Sequence, residues 1–465
     1  MKFLLIKPGD HKTSNLFSVT GPSNHPPLGL LSLGAMLESE GHDVEILDYY
    51  MEDMPREKLE NYLLSSDAVG MTVLTEDIKA AVDISGKIKE IDPNIKLIIG
   101  GPHCTFLKQR SLQDIPHADI CVVGEGEFVI LELVKYLKGE KKLADIHGVY
   151  YRDNSLIKSG KPLQVIDDLD ALPFPARHLV DKYDYAKLPW EKQSKKKVTS
   201  MISSRGCPYK CRFCARYGNS IEGWSYRKRS AENIVKEILE IDKKYGTLWI
   251  VDDNFLADKN RAHIIFDKLL ENGIDINFLI EGARVDSTDR ELYMKMKKVG
   301  VKLIGFGIES GNQDVLDFYN KKVTLQQIRE AVELAREMNF FTYGSFILGA
   351  PIETRNHIEN TIKFAYSLKL DFANFGELCY APGSQLWAEA VKNKKISEDE
   401  TDVMADSRRG LGNLTHEELR EYTNRALKNF YFRPTYLLSQ IYRAFLRKDL
   451  SLLTNGMKFA STLSS

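Results

Sequence analysis

The chain has little cysteine, no surplus of either charge and no long apolar run. Six cysteines in 465 residues, three of them crowded together, do not make a disulfide framework; they point to metal or redox chemistry in a reducing compartment. With 64 basic against 65 acidic residues the net charge is −1, so there is no bulk attraction to nucleic acid and no such partner is expected. No uncharged stretch is long enough to span a bilayer. The opening MKFLLIKPGD breaks at Pro8-Gly9 and lacks a signal peptide's apolar core and cleavage site. It reads as a first strand, and a cytoplasmic location is expected.

What is present is a repeated alternation of strand and helix patterns. The length exceeds a single core and predicts two or three domains. Strands are predicted at Phe3–Lys7, Asp43–Asp48, Ala68–Leu74, Lys96–Gly100 and Ala118–Val123, with helices at Leu28–Glu40, Ile78–Ile91 and Glu127–Leu137. Such alternation predicts a parallel sheet covered on both faces, in a flavodoxin-like doubly wound domain over residues 1–139. Residues 140–195 read as a linker with a hairpin around Asp153-Asn154 and an extended stretch, LDALPFPARHL. Alternation resumes from Val198 to Leu378 and predicts six βα units, a partial barrel over 196–390 whose chemistry lies at the strands' carboxyl ends. Residues 391–465 are predicted helical. There Leu438, Ile441, Tyr442, Phe445 and Leu446 share one face, with Arg443, Arg447 and Lys448 at other positions. That face is expected to pack on the barrel; contact with a membrane surface or a lipid-like substrate is the alternative.

The cysteine cluster, Cys207-Pro-Tyr-Lys-Cys211-Arg-Phe-Cys214, directly follows a predicted strand. Three thiolates on one short loop can each hold one iron of a cubane cluster and leave the fourth iron open to chelation. Structural zinc is the competing reading, but it wants four ligands at regular spacing, and the next thiol, Cys379, is far along the chain. Cys104, Cys121 and Cys379 read as small buried hydrophobes.

The segment SSRGCPYKCRFCARYG resembles the cluster loop of the radical S-adenosylmethionine (SAM) superfamily. VDDNF (251–255), EGARVD (281–286), GFGIESG (305–311) and FILGAPIET (346–354) are similar to successive strand-end motifs of its cobalamin-binding group, in the same order. The resemblance implies a radical SAM barrel with a [4Fe-4S] cluster on Cys207, Cys211 and Cys214. It places Asp252 and Asp253 near the SAM amino group, Arg284 at its carboxylate, Glu309 at the ribose or amino end, and Gly349 and Pro351 on the adenine side. Each carboxylate could instead cap a helix, and each glycine make a turn.

PPLGLLSLGAMLESEGHDVEILD (26–48), IGGPHCT (99–105) and VVGEGE (122–127) resemble the cobalamin-binding domain that precedes many such barrels. This implies bound cobalamin, with Gly100, Gly101, His103, Gly124 and Glu125 at the strand ends. The DxHxxG motif of histidine-ligated cobalamin domains is missing, so a lower histidine ligand is not expected. Asp145-Ile146-His147 lacks the glycine, and His103 could simply satisfy local backbone.

The segment RALKNFYFRPTYLL resembles the tail of the subgroup with anaerobic magnesium-protoporphyrin monomethyl ester oxidative cyclase and hopanoid-modifying enzymes. The implied function is reductive SAM cleavage leading to methylation of an unactivated carbon in a small or lipid-like substrate, with flavodoxin or ferredoxin as electron donor. Oxidative cyclisation or rearrangement without functional cobalamin is the alternative. An RNA-modifying methylthiotransferase would need a second cysteine triad in the first domain, which holds only Cys104 and Cys121. A non-enzymatic metal-binding protein would not cleave SAM.

Overall fold

The computed structural model describes residues 1–9, 25–185 and 197–447. The polar loop expected after the first strand, Lys448 and the residues that follow it lie outside them. The chain forms two compact units, Met1–Ala186 with Tyr217–Trp224, and Lys187–Arg216 with Ser225–Ser465.

In the first unit β1 (Lys2–Lys7), β2 (Asp43–Asp48), β3 (Ala68–Thr72), β4 (Lys96–Gly100) and β5 (Ile120–Val122) pair in parallel in the order β2-β1-β3-β4-β5. This is the flavodoxin-like order expected. The strands are short apolar runs because helices bury both faces: Leu4, Ile6 and Val69 join one core layer, Phe3, Ala68 and Ile98 another.

The hairpin expected in the linker belongs instead to this sheet. β6 (Val149–Asp153) pairs antiparallel with β5, and β7 (Leu156–Ser159) with β6. The cause is the bare ladder on the outer side of β5, which the Ile120–Tyr151 and Cys121–Tyr150 pairings satisfy. Gly160 permits the close return, since a Cβ there would stand 2.1 Å from the Ile146 carbonyl.

The second unit carries six parallel strands: β8 (Lys197–Met201), β11 (Tyr245–Ile250), β12 (Asn277–Ala283), β13 (Val301–Glu309), β14 (Phe341–Leu348) and β15 (Phe372–Glu377). A small antiparallel pair, β9 (Ser204–Arg205) and β10 (Arg227–Lys228), frames the cluster loop. The sheet is the curled partial barrel expected. Its helices start at side-chain caps: Ser230, Asp258 and Asp289 each accept a backbone N–H, and Thr324 and Thr415 form capping boxes.

The helix Pro434–Arg447 is turned the opposite way from expectation. Leu438, Tyr442 and Phe445 are 68%, 65% and 65% exposed, whereas Arg443 and Ala444 are buried. Charge decides the orientation. Asp371, fully buried just before β15, takes Arg443 Nε at 2.9 Å and an Arg447 guanidinium nitrogen at 3.2 Å, and both arginines also donate to the Phe340 carbonyl. Burial alone would raise the Asp371 carboxyl, but Arg447 and Arg443 hold it below the ordinary range. An unpaired buried carboxylate would cost more than exposing an apolar stripe.

Candidate active site at the carboxyl ends of the barrel strands

The cluster loop leaves β9 through Gly206, whose φ of +78° only glycine adopts readily. The loop is pinned at several points: Arg212 N–H donates to the Tyr319 carbonyl (3.0 Å), Leu386 N–H to the Arg212 carbonyl (3.1 Å), and Arg216 N–H to the Gly383 carbonyl (3.2 Å). Phe213 packs edge-on against the buried Tyr319 ring at 4.9 Å.

The three cysteines lie on one loop, where the charges of Cys211 and Cys207 bear on Cys214. Burial pushes the Cys214 thiol up to about 12, and Asp253, Cys211 and Cys207 add to it. Cys207 is likewise raised, first by burial and then by Asp253 and Cys211. Among the described residues no three His, Cys, Asp or Glu converge on the position of a single metal ion. In a cubane each of the three thiolates would bind a different iron. The thiols release protons when metal binds, and three cysteine donors on one loop fit the cluster.

The other expected residues divide into those turned to this loop and those held elsewhere. Arg284, buried at the end of β12, lies flat on the Tyr209 ring (3.6 Å), pairs with Asp286 (2.9 Å) and reaches 4.0 Å from Cys211 Sγ. Asp253 is exposed, and its charge bears on Cys207 and Cys214. Asp252 is different. It is buried, and its oxygens accept Ser203 N–H (2.6 Å), Ser203 Oγ (2.6 Å) and Ser204 Oγ (2.5 Å), which ties the ends of β8 and β11 together. Gly282 makes this possible: at φ +70° a Cβ would press on the Asp252 and Asp253 carbonyls at 3.0 Å.

Glu309 adopts φ +67°, strained for a side-chain-bearing residue, and is held by Lys321 at 2.7 Å. A Cβ on Gly307 would strike Glu309 Oε1 at 2.5 Å, so that glycine leaves room for the ion pair. Gly349, at φ +107°, and Ala350 both donate N–H to Glu353 Oε2 (2.7 and 2.8 Å), while the Pro351 carbonyl accepts from Asn413 (3.1 Å).

Two carboxylates inside the quoted motifs had no assigned role. Glu353 is fully buried and Glu281 lies on β12; burial raises each to about 7. Each was legible only as a charged residue inside a strand-end motif.

At the strand ends of the first unit, Gly101 adopts φ +100° and a Cβ there would meet Thr72 Oγ1 at 2.8 Å. Gly124, at φ +81°, donates its N–H to Thr105 Oγ1 and is covered by Leu163. Gly100 has more space, its nearest neighbour being the Val122 carbonyl at 3.7 Å. His103 is 2% exposed, with Nδ1 3.2 Å from Thr75 Oγ1 and Nε2 3.2 Å from Asp114. Glu125 accepts the Ile166 N–H at 2.7 Å. Of these glycines Gly100 has the most open surroundings, which suits close approach of a ligand at the strand ends.

The Radical SAM superfamily model matches residues 201–365, and the B12 binding domain model matches residues 16–134. The chain is 32% identical to an uncharacterised methyltransferase of Pyrococcus horikoshii over 95% of both chains. It is 27% identical to an anaerobic magnesium-protoporphyrin IX monomethyl ester cyclase of Rubrivivax gelatinosus, over 96% of this chain and 82% of the other. The solved structure of the cobalamin-dependent SAM radical enzyme OxsB, with aqua-cobalamin and SAM bound, aligns with a TM-score of 0.73. It is 16% identical and covers 97% of this chain and 72% of that one. The chain belongs to the radical SAM superfamily, in the group that carries a B12-binding domain. It is an enzyme, and its cofactors are a [4Fe-4S] cluster, SAM and cobalamin. Among the described residues no helix is long and apolar enough to cross a membrane.

Proposed function

We propose that this enzyme methylates an unactivated carbon of a small, hydrophobic molecule. When bound, the cluster and SAM supply a 5′-deoxyadenosyl radical, and cobalamin supplies a transferable methyl group. Cys207, Cys211 and Cys214 hold the cluster. Arg284 meets the SAM carboxylate, Asp253 its ammonium, and Glu309 with Lys321 the ribose. The Gly349–Pro351 turn, braced by Glu353, walls the adenine. Asp252 acts one step back, holding the strand ends on which Asp253 stands. In the first unit Gly100, Gly101, Gly124 and Glu125 border the cobalamin, and His103 positions the β4 loop.

The observation that carries this reading is a loop of three thiols with Arg284 4.0 Å from Cys211 Sγ and the Asp253 charge bearing on Cys207 and Cys214. Anaerobically reconstituted protein with dithionite and SAM is expected to form deoxyadenosine, and alanine at all three cysteines to abolish it. Persistence in the triple variant overturns the assignment. The second reading, oxidative cyclisation, is favoured by the cyclase relative. S-Adenosylhomocysteine formed together with the product marks methyl transfer, and its absence marks cyclisation. A flavodoxin or ferredoxin is the electron source in a cytoplasm kept free of oxygen.

The outward apolar face of Pro434–Arg447 supports contact with an anionic lipid surface. Lys302 on β13, and Lys369 two residues before the Asp371 anchor, are exposed. Sedimentation with phosphatidylglycerol vesicles, lost on L438D/F445D and at high salt, is the expected result; equal recovery of wild type and variant in the pellet refutes it.

A further inference from the structure

Glu281 is half-buried with its Oε1 fully buried, and among the described residues no cation pairs with it. Phe278 and Ile280 join the apolar layer under the helices, so alternation along β12 turns Leu279 and Glu281 to the barrel interior. On β13 the same logic turns Gly305 inward between Ile304 and Phe306, and on β14 it turns Tyr343 inward. Gly305 is the register partner of Tyr343, and a Cβ on it would stand 3.2 Å from the Tyr343 ring and 3.5 Å from Glu281 Cα. Gly305 therefore keeps β13 clear of both neighbours, and Glu281 and Tyr343, each half-buried, share this interior face.

The polar groups on that face form an arc across neighbouring strands. From β11 comes the Trp249 indole, from β12 Glu281, from β14 Tyr343, and from β15 Asn374, whose side chain bears on the Tyr343 hydroxyl. Glu281 Oε1 is buried and accepts no hydrogen bond. Burial raises the carboxyl to about 7; the Trp249 indole is the only neighbour that opposes the rise, and no charged group contributes. Lys321, the lysine beside Glu309, is already paired with it. A carboxylate in such a place is completed by a cation that arrives from outside.

We propose that Glu281 is a substrate-recognition residue that takes a protonated nitrogen of the substrate, with Tyr343 and Asn374 as neutral partners and the apolar barrel wall around the remainder. The proposal rests on the reading of this barrel as a SAM site, because SAM then occupies the separate ammonium position at Asp253 and leaves Glu281 to the second molecule. It narrows the substrate to an amine or other nitrogen cation on an apolar body.

The test is isothermal titration of the reconstituted full-length protein, saturated with SAM, using hexylamine, hexan-1-ol and hexanoate as probes. Hexylamine is expected to bind at least about tenfold more tightly than the other two at pH 8, the factor set by one uncompensated pKa unit of electrostatic preference. Its affinity is expected to fall about tenfold from pH 8 to pH 6 as Glu281 takes up a proton, since hexylamine stays charged throughout. Glu281→Gln should lose both the selectivity and the pH dependence. Equal binding of amine and alcohol, no binding of hexylamine, or unchanged binding in Glu281→Gln overturns the proposal. Should that variant fail to fold, the wild-type pH series alone decides: a flat profile overturns it. Deoxyadenosine formation by wild type, measured in parallel, reports separately on the radical SAM reading.

Discussion

At the scale of single residues, the site is built from carboxylates whose roles differ by what already binds them. Asp252 is saturated by two serines, Asp253 bears by its charge on two of the thiols, and Glu353 clamps two backbone N–H groups. Glu353 sets a pH signature. Its carboxyl is raised from 4.5 to about 7 by burial, so the folded state holds a proton that the unfolded state releases first. That contribution to stability is complete below pH 4.5 and disappears as pH rises through 7; it is on the order of 3 kcal/mol. Thermal melts should show wild type losing stability from pH 5 to pH 8, with Glu353→Gln losing less; parallel curves would contradict it. The cysteine spacing was legible because it is a chemical requirement compressed into eight residues. The division of labour between Asp252 and Asp253 was not, because it depends on Ser203 and Ser204 from another strand.

At the scale of elements, strands and helices followed from apolar periodicity and caps, since both are local properties of the chain. The orientation of Pro434–Arg447 did not. An amphipathic pattern shows two faces but not which one meets the protein, and here the distant Asp371 chooses the arginine face. Asp371→Asn should therefore leave Arg443 and Arg447 buried without a counter-charge, a loss of about 3–5 kcal/mol. The expected outcome is a lower melting temperature and rapid tryptic cleavage at those arginines; an undisturbed digest would show that apolar contacts hold the helix. Acid should act in the same direction. The Asp371 carboxyl is depressed, so its contribution is present above pH 3.8 and vanishes as pH falls through the lower folded value.

At the scale of the whole molecule, both units place their glycine-rich turns at the carboxyl ends of parallel strands, which is where such sheets bind ligands. That much could be read from strand–helix alternation alone. The extent of the first unit could not, because antiparallel addition at a sheet edge leaves no periodic mark distinguishing it from a free hairpin. The added β6 and β7 also carry a practical lesson for anyone dividing this protein. A fragment stopped at residue 139 would keep β1–β5 yet strip the protection from one flank, offering unpaired amides to any neighbour. Such a fragment should precipitate or self-associate on gel filtration, where one ending at 185 runs as a monomer. The edge of β5 is covered by the very segment that looks most dispensable.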